Sequence, residues 1–489
     1  MNDCIYSHII EAKDKNLIPV CKNEASGQEM CLHSKYNPVR EAENFASQVV
    51  ESSFFVVLGL GAGYHIQKLS EKFPQAKILV VEISDDAIAF LQQIPCVRSL
   101  SQNPQIHLSA IQNLETNLLS IYKPALHGNL SILSLRAWET LFVTEAAHAH
   151  EKINSTVKLL SGDYSVQSHF GKIWQKNILS NLKLSETIPP LSPRLQERIT
   201  GKIAAVIAAG PSLDKAVFEL AHHRETYFII ATDTAYAALA KQNIISDAVV
   251  SIDGQMISHE HFLAPFSGDT IFVFDLCAPS SSVRKALRFS KNVLLIETGH
   301  PLSQYASFFD GFPHFPHLAA GSGTVTIAAA SFAQFLGFPN DKIMFFGADF
   351  SYIDGKPYAR GTYLERAFYS QANRFDTAEK SYTRLMYRTP VTKISENKIT
   401  TDILDSYRLS LSDFMKRTPI TKNKIPPSYA HFDFQKFKTI YRKELQDAFQ
   451  NKTDYNEDAP IITTMLPLLA KIGKGSAFLA YLKILEYTK

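Results

Sequence analysis

The segment Gly210-Pro211-Ser212 has the residue types of a phosphate-binding turn. It follows an apolar run at 203–208 that is typical of a buried parallel strand. Gly210 permits close approach to the backbone and Pro211 fixes φ in a first helical turn. Ser212 would either cap the helix or offer its hydroxyl to a phosphate. An ordinary capped helix start without a ligand is the alternative interpretation.

Further polar loops follow other predicted strands of the same sheet. Asp233-Thr234 and Asp253 each follow an apolar run, 321–324 opens a helical stretch, and Asp349 follows the last run. Ligands of open parallel sheets bind in the crevice at the carboxyl ends of the strands. The sequence therefore predicts a nucleotide or nucleotide-sugar site. The residues predicted to bind there are Gly210, Pro211, Ser212, Asp233, Thr234, Gly321, Ser322, Gly323, Thr324, Tyr352 and Arg360.

Residues 351–420 form a basic segment rich in tyrosine, with 12 Lys+Arg against 8 Asp+Glu. Arginine forks bind carboxylates and phosphates in a bidentate way, so Arg360 is a candidate ligand for an anionic substrate. Tyr352 and Tyr358 are candidates to steady a departing phosphate. A solvated surface segment is the alternative interpretation.

An enzyme at this crevice would also need a group that deprotonates a hydroxyl. The catalytic candidates are Asp253, Asp349 and Tyr358, together with His300, His314 and His317 ahead of the 321–324 loop. Sequence alone does not rank them. His259-Glu260-His261 lacks a third ligand at useful spacing, so no metal site is predicted.

A second glycine cluster lies nearer the amino terminus. Gly59, Gly61 and Gly63 follow an apolar run, and Glu82 comes 23 residues after Gly59, where a ribose-binding acid would stand. Tyr64 occupies the place of the third glycine of a dinucleotide motif. The cluster is either a cofactor loop or a structural turn that needs glycine for close packing.

The alternation of apolar runs with amphipathic stretches predicts an α/β chain: two Rossmann-like doubly wound parallel-sheet domains plus a helical C-terminal region. The expected domains are 1–165, a helix and linker at 166–200, a nucleotide-sugar domain at 201–420 with a mobile segment at 351–420, and a helical region at 421–489, packed on one domain.

Composition excludes several classes of protein. The net charge of +3 argues against a general nucleic-acid binder, and five scattered cysteines offer no zinc framework. An amino terminus without a signal-like stretch and the lack of an apolar run of membrane-spanning length predict a soluble, cytoplasmic protein.

Together these features resemble the motility-associated-factor (Maf) glycosyltransferases, whose central domain belongs to an MptE-like group named after a 6-hydroxymethylpterin diphosphokinase. The resemblance covers roughly residues 30–420. It is carried by 32–38 with Glu41-Ala42, the Gly59 cluster, 174–182, 210–213, Asp233, Asp253, 321–324 and 347–349. It implies transfer of a nonulosonic acid, of the pseudaminic or legionaminic kind, from a CMP-activated donor to Ser or Thr of flagellin. No cofactor is implied.

The central domain is also similar to bacterial sialyltransferases that use CMP-sialic acid. That similarity implies nucleotide binding by 210–213, cytidine and phosphate binding by 322–324, and a donor-lining role for 347–350 with Tyr358. Those enzymes carry a histidine base in the mobile segment, and residues 351–420 contain no histidine.

Two alternatives stay open. One is an ATP-dependent diphosphokinase in which Asp233, Asp253 or Asp349 holds Mg²⁺. The other is a non-catalytic module that binds a nucleotide or flagellin.

Overall fold

The computed structural model describes residues 4–23, 27–191, 195–263, 267–320, 324–417, 431–449, 455–457, 459–472 and 477–488. The chain divides into two compact units. The first consists of Met1–His169 with Leu466–Leu479, and the second of Phe170–Met465 with Ala480–Lys489. Within the ranges just given, no helix combines the length and the apolar character that crossing a membrane requires.

The first unit holds an antiparallel sheet, a parallel sheet and short helices. Its strands are β1 (Cys4–Glu11), β2 (Leu17–Asn23), β3 (Glu29–Cys31), β4 (Phe54–Leu58), β5 (Lys77–Glu82), β6 (Ile106–Ala110) and β7 (Ser131–Ser134). Its helices are α1 (Pro38–Gln48), α2 (Tyr64–Lys72), α3 (Asp85–Leu91), α4 (Pro95–Leu100), α5 (Leu114–Ile121), α6 (Pro124–His127) and α7 (Arg136–Leu141), with a 3₁₀ turn at Ile111–Asn113.

The parallel sheet has the order β6-β5-β4-β7 and is buried on both faces. Phe54, Val56 and Leu58 enter the hydrophobic core on one face, and Phe55 and Val57 enter the core on the other. This follows from the two-residue period of a strand. The antiparallel sheet β1-β2-β3 was not predicted from the sequence.

The second unit is built on the larger sheet. Its strands are β8 (Ile203–Ile207), β9 (Tyr227–Thr232), β10 (Ala248–Ser251), β11 (Ile271–Asp275), β12 (Val293–Ile296), β13 (Ile343–Phe346), β14 (Tyr352–Ile353), β15 (Thr392–Ser395) and β16 (Lys398–Thr400).

A long helix, α8 (Val143–Ser185), runs from the residues of the first unit into those of the second. It starts well before residue 166, where the sequence placed the beginning of a separate helix and linker. The helices that follow are α9 (Leu195–Ile199), α10 (Leu213–His222), α11 (Asp233–Lys241), α12 (Ser280–Phe289), α13 (Pro301–Phe308), α14 (Val325–Phe335), α15 (Tyr363–Gln371), α16 (Ala378–Met386), α17 (Asp402–Lys416), α18 (Phe434–Ala448), α19 (Pro460–Thr463), α20 (Leu466–Ile472) and α21 (Ala477–Tyr487), with 3₁₀ segments at Arg224–Thr226, Met256–Leu263 and Asn340–Lys342.

The six-stranded sheet is parallel throughout, with the order β12-β11-β10-β9-β8-β13. The chain leaves β8 toward β9 on one side and returns to pair β13 on the other. The order therefore reverses between β8 and β13, and ligands of such sheets bind outside the carboxyl ends of the strands at that point. The predicted α/β class with two parallel sheets is confirmed.

Residues 351–417 add a small antiparallel sheet, β14-β16-β15, and helices α15 to α17 to the second unit. The described residues after 430 are mainly helical. They do not all belong to one unit, because 466–479 group with the first and the remainder with the second.

Two asparagines of α8 fix the loops that follow β10 and β11. Asn177 donates from Nδ2 to the carbonyl oxygens of Gly254 and Cys277, at 3.2 and 2.8 Å. Asn181 donates to the carbonyl oxygens on both sides of Cys277, at 2.9 and 2.8 Å. Trp174 packs so closely on Gly254 that a Cβ there would lie 2.4 Å from the indole. These buried bonds hold loops at the carboxyl edge of the sheet.

Replacing Asn177 by leucine should lower the free energy of unfolding by about 1–3 kcal/mol, because two buried carbonyl oxygens lose their donor. Chemical denaturation monitored by circular dichroism measures the change. Lys176→Ala, at an exposed position of the same helix, is the matched control and should be nearly neutral. Equal stability of the two variants would contradict a supporting role for Asn177.

Candidate functional site

The loops that follow β8 and β13 are bonded directly to each other. The Gly210 N–H donates to the carbonyl oxygen of Gly347 at 2.8 Å, and the Ser212 N–H donates to Asp349 Oδ2 at 2.8 Å. A Cβ at Gly210 would lie 2.4 Å from the same carboxylate oxygen. The structure thus brings together Gly210, Pro211, Ser212 and Asp349. Asp349 sits at the amino end of α10, where a helix favours an anion.

Asp233 is a fixed carboxylate at the start of α11. Its side chain is buried, with Oδ1 accepting from the N–H of Thr234 at 2.7 Å and from the Thr234 hydroxyl at 3.1 Å. Oδ2 accepts from the Ser251 hydroxyl at 2.7 Å, which ties the loop after β9 to the end of β10. Because both oxygens are engaged, a metal ion at Asp233 would compete with these internal donors.

Asp253 lies beside Asp233 at the same edge. Its Oδ1 accepts from the Gln255 N–H at 2.9 Å. Burial raises the pKa of Asp253, and the negative charge of Asp233 adds to the rise. Burial also raises the pKa of the Tyr363 hydroxyl, with further increases from Asp253, Asp233 and Glu260. Tyr363 therefore lies near enough to both aspartates for their charges to raise its pKa.

Tyr358 joins this group from the basic segment. Loss of water around its hydroxyl raises its pKa, although 36% of the residue stays exposed. Tyr352 and Tyr363 raise that pKa further, and the positive charge of Arg388 opposes the rise. We call Asp233, Asp253, Tyr352, Tyr358, Tyr363 and Arg388 the tyrosine–aspartate cluster.

Sequence reasoning placed neither Tyr363 nor Arg388 in the site. Each was one of several similar residues in the segment, and only the folded path of α15 and α16 distinguishes them. Both residue types suit an anionic ligand, because a protonated tyrosine donates a hydrogen bond and arginine supplies charge.

An open cavity of about 730 Å³ adjoins the cluster. Tyr358 and Tyr363 of the cluster line this cavity. The other basic and tyrosine side chains that line it are Lys241, Lys356, Arg360, Arg366, Tyr369 and Tyr382. A second cavity of about 430 Å³ is lined by Pro211, Ser212 and Phe218 and shares Lys356 and Arg360 with the first. Of the predicted binding residues, Pro211, Ser212 and Arg360 line the second cavity, and Arg360 also lines the first. Gly210, Asp233, Thr234, Thr324 and Tyr352 are not among the residues that line these two cavities.

Asp214 holds the loop between these cavities. Its carboxylate lies 3.5 Å from Lys356 Nζ and 3.8 Å from Arg360 Nε, and accepts from the Arg360 N–H at 2.7 Å. The N–H of Ala359 donates to the carbonyl oxygen of Ala209 at 2.9 Å. These contacts dock residues 356–360 beside the loop that follows β8.

The variant Asp214→Ala should expose the Arg360–Gly361 bond to trypsin, raising the cleavage rate about tenfold as the docked loop opens more often. The rate is followed by mass spectrometry of the products. Asp413→Ala is the control, because Asp413 makes only an exposed ion pair with Lys416 on α17 of the same segment. If both variants are cut at the parental rate, Asp214 does not hold the loop.

The three candidate histidines have different surroundings. His300 accepts from the Leu302 N–H at 3.1 Å, and burial lowers its pKa to about 3. His314 is buried against Asp310, with a 2.8 Å contact. The side chain of His317 is 60% exposed and contacts Glu297. Only His317 of these three presents its ring to solvent.

Part of the predicted phosphate loop, Gly321, Ser322 and Gly323, lies outside the described residues. Thr324 caps α14, its hydroxyl accepting from the Thr326 N–H at 3.4 Å. In the described part of the chain, no group of three or more His, Cys, Asp or Glu residues is placed to hold a metal ion.

The first unit's glycine cluster is closed by its own side chains. Glu82, fully buried, accepts from the Leu60 N–H at 3.0 Å, from Trp138 Nε1 at 2.7 Å and from the Tyr6 hydroxyl at 2.9 Å. His33 Nε2 accepts from the Ala62 N–H at 2.9 Å. The amides and the acid that a cofactor would need are already bonded, which favours the structural interpretation of this loop.

Replacing Glu82 by alanine should lower the free energy of unfolding by about 3 kcal/mol or more, because several buried donors lose their acceptor at once. Thermal and urea denaturation test this. Glu115→Ala, at an exposed position on α5, serves as the control. A neutral Glu82 variant would reopen the cofactor interpretation.

Residues 176–355 match the family model described as 6-hydroxymethylpterin diphosphokinase MptE-like. An uncharacterized protein of Treponema pallidum (strain Nichols) is 34% identical over 169 residues, which are 34% of this chain and 77% of that protein. A second uncharacterized Treponema pallidum protein is 33% identical over 212 residues, 43% of this chain and 70% of that protein. The chain belongs to the same family as these proteins.

The fold of this chain is similar to that of a solved structure, the Maf glycosyltransferase from Magnetospirillum magneticum AMB-1. The match covers 99% of this chain and 87% of that one, with a TM-score of 0.54 and 13% sequence identity. With the MptE-like match, it confirms the predicted Maf and MptE-like resemblance at the level of the fold.

Proposed function

We propose that the chain is a glycosyltransferase that moves a nonulosonic acid from a CMP-activated donor to a Ser or Thr hydroxyl of flagellin. The observation that carries the proposal is the tyrosine–aspartate cluster beside a basic, tyrosine-lined cavity at the carboxyl edge of the second sheet. The fold of a Maf glycosyltransferase supports it.

The first chemical need is to bind the CMP phosphate and stabilise it as it leaves. Tyr352, Tyr358 and Tyr363 have raised pKa values, so their hydroxyls stay protonated at neutral pH and donate hydrogen bonds. Arg388 supplies positive charge beside two of them. Donors held in place before the reaction stabilise charge that develops on a leaving group.

The second need is to hold the acidic sugar. Arg360 and Lys356 lie between the two cavities and are only partly neutralised, because one carboxylate, Asp214, contacts both. They are suited to the carboxylate of the sugar. We assign Asp253 to the sugar hydroxyls. Asp349 is assigned to positioning, because its carboxylate holds the Ser212 N–H.

The diphosphokinase alternative rests on the description of the matching family model. It would need carboxylate oxygens for Mg²⁺. Asp233 offers few, because Thr234 and Ser251 donate to both of its oxygens. A module that binds nucleotide without catalysis would share the binding residues and differ only in turnover.

A thermal-shift titration tests the proposal, because a ligand that binds only the folded protein raises its apparent stability. CMP and CTP should raise the melting temperature without Mg²⁺. Stabilisation by ATP with Mg²⁺ alone would contradict the proposal in favour of a diphosphokinase. Mass spectrometry of flagellin incubated with the protein and a CMP-nonulosonate then separates an enzyme from a binding module.

Two variants locate the nucleotide. Tyr358→Phe and Ser212→Ala should each weaken the CMP response about tenfold through loss of a hydroxyl, while Tyr387→Phe, at an exposed position of the same segment, should leave it unchanged. Thr324→Ala is less informative, since loss of its helix cap costs about 1 kcal/mol of stability. Parental CMP binding by both variants would place the nucleotide elsewhere.

A further inference from the structure

Glu297 and His317 form a side-chain pair at the carboxyl end of β12. Glu297 directly follows that strand and is 4% exposed. Its N–H donates to the carbonyl oxygen of Pro316 at 2.9 Å, and its own carbonyl oxygen accepts from the Leu318 N–H at 3.0 Å. These two bonds set the backbone of His317 parallel to that of Glu297. The backbone position of His317 is therefore determined by its pairing with Glu297.

The side chains are joined at one ring nitrogen. His317 Nδ1 lies 2.5 Å from Glu297 Oε1, and Oε2 of the same carboxylate accepts from the Gly299 N–H at 2.9 Å. A carboxylate that accepts at Nδ1 fixes the neutral tautomer with its proton on that nitrogen. The lone pair of Nε2 then lies on the opposite side of the ring. Since the side chain is 60% exposed, an acceptor hydroxyl can reach the ring from solvent.

We infer that His317 is the general base of the transfer, with Glu297 as the residue that positions it. The inference rests on the proposed function. His317 Nε2 takes the proton of the acceptor hydroxyl as that oxygen bonds to the anomeric carbon. The bond from that carbon to the CMP phosphate oxygen breaks, and its electron pair leaves with the phosphate. The proton on Nε2 then passes to water.

The other candidates are less suited to accept this proton. His300 uses Nδ1 to cap α13 and its Nε2 is buried, and His314 is buried against Asp310. Asp349 holds the amino end of α10. Asp253 is the remaining competitor, because burial and the charge of Asp233 raise its pKa, but one of its oxygens already accepts from the Gln255 N–H.

The distance along the sheet fits a nucleotide-sugar. Asp253 follows β10 and Glu297 follows β12, with β11 between them. Neighbouring strands lie about 4.8 Å apart, so the two loops are separated by about 10 Å. A nucleotide-sugar bound at the tyrosine–aspartate cluster is long enough to span this distance.

The pair predicts a specific pH dependence. The bond to Glu297 raises the pKa of His317, partly offset by burial. Asp275 and Cys277 are the other titratable groups that interact with Glu297. A base must be neutral to accept a proton, so activity should fall as pH drops through the raised pKa of His317. Without the carboxylate that pKa falls, and the acid limb moves to lower pH.

The test compares His317→Gln, Glu297→Gln and Asp253→Asn with the parent protein, using CMP thermal shift and steady-state transfer to flagellin from roughly pH 5 to 9. His317→Gln should keep the CMP shift and the KM for the donor while kcat falls about 100-fold or more. Glu297→Gln should lose less activity and displace the acid limb to lower pH, which a purely structural role would not do.

The opposite results are distinguishable. A His317→Gln protein that keeps the parental kcat, or an acid limb unmoved in Glu297→Gln, would overturn the inference and leave the proposed function standing. Loss of kcat in Asp253→Asn with an unaffected His317→Gln would transfer the role to Asp253. A parent that neither binds CMP nor transfers the sugar would overturn the proposed function and the role of His317 together.

Discussion

The bond between the Asp349 carboxylate and the Ser212 N–H fixes the geometry of the second unit's crevice. It joins the two strands between which the strand order reverses, and it places negative charge at the amino end of α10. Since no side chain fits at Gly210 beside that carboxylate, the residue types at both positions are mutually constrained. The basic segment docks beside this contact through the bond between Asp214 and the Arg360 N–H.

The two glycine-rich turns of the chain show how similar local sequences take different roles. Around Gly59 the backbone N–H groups donate hydrogen bonds to His33 and Glu82, so the turn serves to pack the strand against the helix. Around Gly210 the amides are also taken, that of Gly210 by the Gly347 carbonyl oxygen and that of Ser212 by Asp349, but here Ser212 lines a cavity. Whether a turn can receive a ligand depends on what the rest of the chain places against it.

Much of this architecture could be predicted from the sequence. The apolar runs that precede Gly210, Asp233, Asp253 and Asp349 coincide with β8, β9, β10 and β13, because buried parallel strands need continuous apolar sequence. The strands of β14 to β16 were missed. They are two to four residues long, and β15 is exposed along its whole length, so they carry no such pattern.

The sequence predicted at which edge of the sheet the candidate site lies, but it did not predict which side chains there contact each other. Because Asp233, Asp253 and Asp349 each follow a predicted strand, the sequence placed them at the carboxyl edge of the sheet. The contact of Asp349 with Ser212 joins residues 137 positions apart, and the contact of His317 with Glu297 spans 20 positions. No helical or strand period connects residues at such separations, so these pairings depend on the folded chain alone.

The side of α8 that carries Trp174, Asn177 and Asn181 sets the spacing between the loops at the carboxyl edge of the sheet. Spacings of three and four residues keep these side chains on one face of a helix. Trp174 and Asn177 contact the loop after β10, and Asn177 and Asn181 contact the loop after β11. Inserting one residue between Trp174 and Asn177 would turn the asparagines by about 100° and shift them by about 1.5 Å. Relatives that keep this crevice must therefore tolerate substitutions along α8 more readily than changes in its length.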